Sequence, residues 1–336
     1  MNQTECIAAE ALVLDTKFNI LRILLIILSM IIIVLLSRVI WSYKTKSMKL
    51  HTNLVILMSN VLLLYVIFVL ANMTEYFMNF IVLFTYSNPC ECLIQVWLVY
   101  LIRMPFIIYV NGSPLFHFAI MIERVLATVY VKIYENQGKM FGIISSIIAW
   151  TLVFTHCLYS YITTQMDTDT FGHPMVYLTL TTKYNSQMLI FANFFFLFLV
   201  ICIAIADYYL IVRNQKIKSN FFKSATYYNL SQSYQSKQNI LLMKLIFPLD
   251  FFYSFVFALF NILTNLLRYN REQYDQLFYT RTYESLTLLL FTHAIITLIV
   301  YDFFLKKQEE IKKNFVKINM NMSSEIYFKN LNLAWK

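Results

Sequence analysis

The sequence predicts an all-α membrane protein, a seven-transmembrane helix bundle with its N-terminus outside the cell and its C-terminus in the cytoplasm. Of its 336 residues, 59% are hydrophobic and only 13% are charged, whereas a soluble domain is roughly 45–50% apolar and about 25% charged. The apolar residues form long continuous runs that do not alternate with polar ones, which argues against a transmembrane β-barrel. Lysine and arginine concentrate in alternate connections between these runs.

Seven apolar segments reach the length of about 20 residues that a spanning helix needs. The predicted spans are 18–41, 52–73, 92–131, 141–164, 187–212, 239–267 and 283–304. Residues 1–17 are then an extracellular N-terminus, 18–304 the membrane domain and 305–336 a cytoplasmic tail. The third segment is too long for one straight crossing, and we expect a kink at Pro105, Gly112 and Pro114. The stretch 77–86 either extends the second helix or lies in the membrane interface.

Basic residues predict the orientation of the bundle. With the N-terminus outside, the inner connections hold seventeen lysines and arginines: three after the first span, two after the third, five after the fifth and seven after the seventh. The outer segments hold five, at Lys17, Lys183, Arg268, Arg271 and Arg281. Because positive charge marks the cytoplasmic side, this excess predicts an N-out, C-in topology.

The two ends of the chain carry their own signals. Residues 1–17 have no basic segment, and the first apolar run is longer than that of a signal peptide. We therefore predict that the N-terminus is not a cleaved signal peptide. In the tail, Ile311, Phe315 and Ile318 recur at helical spacing among lysines. This pattern predicts an amphipathic helix on the anionic inner leaflet, with a plain solvated tail as the alternative.

Glu123 and Arg124 form an acidic–basic pair at the inner end of the third span. Charged residues are costly inside a membrane and usually mark function. We therefore interpret the pair as a polar lock, in which Glu123 or a group on the sixth helix holds Arg124 at rest. The alternative is a topological anchor whose arginine reaches the interface.

Two further charges lie within spans. Arg103 precedes Arg124 by 21 residues, roughly 30 Å along a helix. Asp250 lies beside Pro248, roughly 16 Å above the inner end of the sixth span. We expect no direct pair, because the two heights differ by on the order of 10 Å. Arg103 has two possible roles: it contacts a ligand that is anionic or accepts hydrogen bonds, or it pairs with an internal partner. Pro248 and Asp250 are candidate hinge residues. Asp207 either pairs with Lys244 or reaches the interface by itself.

The sequence gives no support for catalysis. None of the five histidines, at positions 51, 117, 156, 173 and 293, has a second ligand at metal-binding spacing. Hydrolase, metalloprotease and phosphate-loop motifs do not occur. We therefore predict no enzyme activity, no metal and no cofactor.

Three cysteines lie on the predicted outer, oxidising side. Cys90 and Cys92 are too close together to bridge without strain, so Cys6 is expected to bond to one of them and to fasten the N-terminus over the bundle. Asn2 and Asn72 begin glycosylation sequons on or near the outside. The second of these lies close to the membrane.

The third span and the entry to the sixth carry a family resemblance. The run Arg103-Met-Pro-Phe, Gly112, Leu115-Phe-His-Phe-Ala-Ile-Met-Ile-Glu-Arg-Val-Leu-Ala-Thr, then Lys132 and Tyr134-Glu, resembles nematode serpentine chemoreceptors of class alpha/beta. So does Leu230-Ser, Tyr234-Gln, Gln238-Asn-Ile, Lys244-Leu and Pro248. Pro89-Cys-Glu is similar to the wider Sra superfamily of seven-transmembrane G-protein-coupled receptors.

The resemblance implies a chemosensory receptor of the plasma membrane, including that of sensory cilia. Its partners would be a small-molecule ligand, a heterotrimeric G protein and membrane lipid, with no nucleic acid. Whether it forms homo- or hetero-oligomers stays an open question. Glu123 and Arg124 would be its G-protein switch. The chain departs from rhodopsin-like receptors because Thr297-Leu-Ile-Val-Tyr-Asp has no Asn-Pro before the tyrosine. Residues 165–186 also have no cysteine to bond to the third helix.

The leading hypothesis is a ligand-controlled switch. A small molecule binds in the outer half between helices three, five, six and seven, with Arg103, Trp97 and Tyr109 as candidate contacts. Helix six then pivots near Pro248. The alternatives are a seven-span ligand-gated cation channel subunit of the insect odorant receptor type, with a cytosolic N-terminus, a transporter, and a receptor-like protein that has lost signalling.

Overall fold

The computed structural model describes the backbone of residues 3–45, 51–130, 134, 138–177, 179–221, 230–270 and 273–334. Within these ranges, side chains are described except at 170, 214, 215, 217–246, 308 and 311–334. The predictions on Asn2, on the side chain of Lys244 and on the apolar face of the tail therefore lie outside the described residues.

The described part of the chain is helical. Its α-helices are α1 (Gln3–Leu14), α2 (Thr16–Thr45), α3 (Thr52–Thr85), α4 (Val96–Val129), α5 (Met140–Gln165), α6 (Thr168–Phe171), α7 (Ser186–Phe221), α8 (Leu230–Tyr269) and α9 (Gln276–Ala334). Among the described residues, seven helices are long and apolar enough to cross a membrane: α2 to α5 and α7 to α9. Such helices satisfy their own backbone hydrogen bonds, which lipid cannot do. The predicted all-α seven-span bundle is confirmed.

A short helix precedes the first span and was not anticipated. α1 has buried Cys6, Ala9 and Val13 on one face, and these pack with Cys92 and Leu93 near the start of α4. Asp15 separates α1 from α2, and its carboxylate accepts a hydrogen bond of 2.6 Å from the backbone N–H of Phe18. This is an N-terminal cap of the spanning helix. The N-terminal segment therefore folds onto one end of the bundle, called here the α1 end.

Several spanning helices differ in extent from the prediction; α7 continues to Phe221 and α8 begins already at Leu230. α3 continues to Thr85, so residues 77–86 extend the second helix. α4 begins at Val96 because Pro89–Cys92 forms a separate 3₁₀ turn, and it runs through Pro105 and Pro114 without interruption. α9 runs on from the seventh span to Ala334. The tail backbone is thus a continuation of the same helix and not a separate element after it. The end of the bundle from which this tail extends is called the tail end.

α4 lies at the centre of the bundle. It packs against α3, α5, α7 and α8 and is the most buried of the spans. α2 packs between α3 and α9, which closes the ring. The core includes an aromatic layer from α3, α4, α8 and α9, made of Tyr65, Phe68, Tyr109, Tyr253, Phe257 and Phe291.

Gly142 sets the closest approach of α5 to α3. A Cβ at this position would lie 2.9 Å from the Cα of Asn53, a distance that side chains do not adopt. Its backbone N–H donates to the Asn53 side-chain oxygen at 3.0 Å. Glycine thus lets the two helices meet backbone to backbone at the tail end.

Candidate functional site

A cavity of about 100 Å³ opens into the α1 end of the bundle. We call it the main cavity. Residues of α4, α5, α7, α8 and α9 and of the loop before α7 line it, among them Arg103, Asn111, His156, Ser160, Thr181, Arg268 and Glu284. Polar side chains at this depth are unusual in a membrane protein and are usually functional.

Several residues that line the main cavity carry buried polar atoms without a partner in the described part of the chain. Asn111 Nδ2 lies 2.8 Å from His156 Nδ1 and ties α4 to α5. Within the described residues, His156 Nε2, Ser160 Oγ and Glu284 Oε2 are buried and have no hydrogen-bond partner. Since buried polar groups are normally paired, these atoms can bind a ligand that carries both donors and acceptors.

Arg103 joins three spans through a buried ion triad. Its guanidinium donates to Glu75 of α3 at 3.2 Å and also to Glu284 of α9. The side chains of all three are at most 7% exposed. The internal-partner alternative is therefore the one that the structure bears out. Because two carboxylates surround the cation, Arg103 by itself does not give the main cavity a preference for anions.

Two of the three candidate contacts lie elsewhere. The main cavity is lined from α4 by Arg103, Phe106, Ile107, Val110 and Asn111. Trp97 and Tyr109 each lie six residues from Arg103, which places them about 120° away around a helix of 3.6 residues per turn. Trp97 is 66% exposed and Tyr109 is fully buried in the aromatic core. Neither residue lines the main cavity, and their role as ligand contacts stays a prediction.

A loop covers part of the main cavity. The backbones of Ile94 and Met175 exchange two hydrogen bonds of 2.8 and 2.7 Å, and the Tyr100 hydroxyl pairs with Thr164 at 2.6 Å. Phe171 and Leu180 pack with Val99 beneath the loop. A backbone bridge thus holds this loop to the start of α4. A disulfide cannot do so, because residues 165–186 contain no cysteine.

A second polar layer lies midway along the bundle. His117 of α4 and Asp250 of α8 are 2.9 Å apart, and the His117 ring stacks on Tyr253 with centroids 3.8 Å apart. Asp207 of α7 is fully buried, so the idea that it reaches the membrane interface is wrong. Asp250, two residues after Pro248, thus has a partner on the central helix. This contact ties α8 to α4.

The Glu123–Arg124 pair is buried near the tail end of α4. Arg124 donates through Nε and Nη2 to both carboxylate oxygens of Glu123, and its side chain is only 2% exposed. Glu123 also accepts from the Tyr134 hydroxyl. Arg124 Nη1 is buried and has no hydrogen-bond partner within the described ranges. An arginine buried in this way is held by its neighbour and is not a surface anchor.

Residues at the ends of the spans complete this cluster. His51, just before α3, lies 2.7 Å from the Tyr134 hydroxyl, and the two rings are 4.2 Å apart. Burial lowers the pKa of His51, which favours the neutral ring. Burial, together with the nearby Glu123 carboxylate, raises the pKa of Tyr134, so that the phenol keeps the proton it donates. The connection between α4 and α5 therefore takes part in holding Glu123.

A disulfide joins Cys6 of α1 to Cys90 of the 3₁₀ turn, while Cys92 is a buried free thiol. Glu91 lies between Cys90 and Cys92 in the sequence, and its carboxylate accepts a hydrogen bond of 2.7 Å from the Ser87 backbone N–H. This bond lowers the pKa of Glu91, with a further contribution from the Asn88 side chain. The turn that carries Cys90 is thus braced at its start.

The sequon at Asn72 is not a glycosylation site in this fold. Asn72 is 1% exposed. Its Nδ2 donates to the Phe68 carbonyl at 2.7 Å, and its Oδ1 accepts from the Tyr76 hydroxyl at 3.0 Å. Because both amide atoms are buried in hydrogen bonds inside α3, no glycan can be attached there.

Several charged residues that are buried in the bundle were not predicted to have a role. Arg22 of α2 is 2% exposed and stacks 3.8 Å over Phe18, and Glu75 and Glu284 complete the triad. At the tail end, Asp302 pairs with Arg38 at 3.0 Å and with Lys306 at 2.7 Å. Their presence could have been noticed in the sequence, because each is an ionisable residue within an apolar span.

The described residues contain no group of three or more His, Cys, Asp or Glu that is placed to hold a metal.

A seven-span bundle with a polar cavity at one end and a buried Glu–Arg pair at the other is the arrangement of a seven-transmembrane receptor. The chain matches the family model of the serpentine type 7TM GPCR receptor class ab chemoreceptor over residues 4–336, and it belongs to this family. This is a receptor family of multi-pass membrane proteins and not an enzyme family. No curated protein matches the chain at a significant level.

Proposed function

We propose that the protein is a chemosensory receptor that binds a small molecule in the main cavity and activates a heterotrimeric G protein at the tail end. The observation that carries this proposal is the position of both sites on one helix. Arg103 borders the main cavity and Arg124 belongs to the buried lock, about 30 Å apart along α4 by their separation of 21 residues. α4 therefore connects the ligand site to the switch.

The ligand we infer is compact and carries hydrogen-bonding groups. A volume of about 100 Å³ suits a small molecule, and the open atoms of His156, Ser160 and Glu284 offer both donor and acceptor contacts. Arg268 also lines the main cavity, and its Nη1 has no hydrogen-bond partner in the described part of the chain. These groups are the candidate contacts for a ligand in the main cavity, which Trp97 and Tyr109 do not line.

Activation follows from a difference in ligand affinity between two arrangements of the bundle. The ligand contacts α4, α5, α7, α8 and α9 at once and favours the arrangement that fits it best. α8 pivots near Pro248, where Asp250 meets His117 of α4. This movement opens the tail end around Arg124, which then leaves Glu123 for the G protein.

The charge distribution supports the orientation that this function requires. The α1 end, with its disulfide, lies outside, and the lysine-rich connections and tail lie in the cytoplasm near the anionic leaflet. We place the receptor in the plasma membrane, with sensory cilia as its site. A cation channel subunit of the insect odorant receptor type requires the opposite orientation.

A cavity-filling variant tests the ligand site. A screen of small water-soluble and volatile compounds, with G-protein dissociation in cells as the readout, first identifies an agonist. We expect Ser160→Leu to raise the agonist concentration for half-maximal response about tenfold, since about 1.4 kcal/mol of lost binding has that effect. Ser160 is 1% exposed in the cavity wall.

The matched control is Thr155→Leu, on the exposed face of the same helix. The Thr155 side chain is exposed and donates to the Thr151 carbonyl of its own helix, so agonist potency should stay unchanged. Equal effects of the two variants at equal surface expression would rule out the main cavity as the ligand site.

A further inference from the structure

A second cavity lies at the α1 end, on the other side of the ion triad. Its volume is about 250 Å³. The walls come from α1, α3, the segment after the 3₁₀ turn and the first turns of α4. They are mainly apolar and include Val13, Met78, Val82, Leu93, Leu98 and Ile102. We call it the second cavity.

The disulfide fastens the helix that contributes Val13 to the wall of this cavity. Cys6–Cys90 fastens α1 to the 3₁₀ turn, which brings Val13 over the gap between α3 and α4. Cys92, two residues further on, lines the cavity with a thiol that is free and buried. The exposed Trp97 also lines it. The cavity therefore has a buried floor and a mouth at the surface of the spanning helices.

Two polar side chains that line the second cavity are already engaged, while that of Gln95 is exposed at its edge. Glu75 reaches its wall but pairs with Arg103 at 3.2 Å. Asn79 Nδ2 donates to the Glu75 backbone carbonyl at 2.9 Å. Unlike the main cavity, the second cavity thus offers few open hydrogen-bonding atoms. An unfilled apolar space of this size costs the surrounding side chains their packing contacts.

We propose that the second cavity binds a small apolar molecule of hydrocarbon character, with at most one hydrogen-bonding group. An apolar cavity of about 150 Å³ in another protein binds benzene or xenon, and this cavity is larger. The occupant contacts Glu75, whose partner Arg103 also holds Glu284 of the main cavity. Occupancy of one cavity is thereby linked to the geometry of the other through the triad.

Protection of the Cys92 thiol measures occupancy directly. In full-length receptor carrying Cys157→Ser and Cys202→Ser, Cys92 is the remaining free cysteine, because the chain has five and two form the disulfide. The reagent is methyl methanethiosulfonate, the probe is toluene, and the receptor is held in phospholipid nanodiscs. Burial raises the pKa of Cys92, helped by Glu10 and Glu91, so labelling is followed at alkaline pH.

We expect toluene to slow labelling in a saturable way, about fivefold at about four times its dissociation constant, following 1 + [L]/Kd. Glycerol at the same concentration should have no effect. Leu98→Phe fills the cavity and should slow labelling without toluene and remove the toluene effect. Leu101→Phe, on the same helix but 58% exposed at Leu101, should behave like the parent.

Three results would overturn the proposal: labelling that toluene does not change, equal effects of Leu98→Phe and Leu101→Phe, or no labelling of Cys92 before toluene is added. The last result would mean that the space is closed or filled by a lipid chain. The experiment needs neither an agonist nor a G protein. Its outcome is therefore independent of whether the main cavity and the Glu123–Arg124 pair work as proposed above.

Discussion

Replacing Arg124 with alanine is expected to abolish agonist-evoked G-protein activation, and replacing Glu123 with glutamine is expected to raise basal activation about tenfold. Arg124 donates two hydrogen bonds to the Glu123 carboxylate in a buried site. Hydrogen bonds to charged groups contribute about 1.5–3 kcal/mol, so removing the charge of Glu123 shifts the resting equilibrium toward free Arg124. The measurement is G-protein dissociation in cells, with and without agonist.

The opposite signs of the two effects protect this test from a folding artefact. Arg124→Ala leaves a buried carboxylate without its cation and lowers expression, so activity is normalised to receptor at the cell surface. Misfolding does not explain a gain in basal activity by Glu123→Gln. Tyr134→Phe, which removes one donor to Glu123, should give a smaller gain. Normal agonist responses in Arg124→Ala, or unchanged basal activity in Glu123→Gln, would contradict the lock.

Replacing Arg103 with methionine is expected to destabilise the receptor by about 3–5 kcal/mol, the usual cost of removing one partner from a buried ion pair. The change leaves Glu75 and Glu284 buried without their cation. The measurement is the thermal midpoint of detergent-solubilised receptor, followed by size-exclusion chromatography after heating.

The control is Arg38→Met at the tail end. Arg38 pairs with Asp302 at 3.0 Å, but its side chain is 54% exposed, and exposed pairs contribute about 0–1 kcal/mol. The triple variant Glu75→Gln, Arg103→Met, Glu284→Gln should recover part of the loss, because it removes the unpaired charges as well. If Arg103→Met is as stable as Arg38→Met, the triad does not hold the three spans together.

The architecture followed from the sequence because hydrophobic length and the need for internal backbone hydrogen bonds leave few options in lipid. The same reasoning located Arg124 near the end of the third span. Helix extents were harder to predict. Apolar residues continue in α3 beyond the predicted end of the span to Thr85. The 3₁₀ turn at Pro89–Cys92 is short and leads directly into apolar residues, so its boundary with α4 is not marked in the sequence.

The candidate site was predictable only in part. Arg103 was found because it is an isolated charge in an apolar run, but its partners Glu75 and Glu284 lie 28 residues before it and 181 after it. Such pairings depend on how the helices are arranged and rotated. The same rotation explains why Trp97 and Tyr109, which share the helix of Arg103 but face other directions, do not line the main cavity.

Signalling depends on the membrane topology, because the lock can meet a G protein only from the cytoplasm. The direct measurement is antibody staining of cells that express the receptor with one epitope before Met1 and a different epitope after Lys336. We expect the first epitope to be stained on intact cells and the second only after permeabilisation. Staining of the second epitope on intact cells, with the first hidden, would contradict this topology.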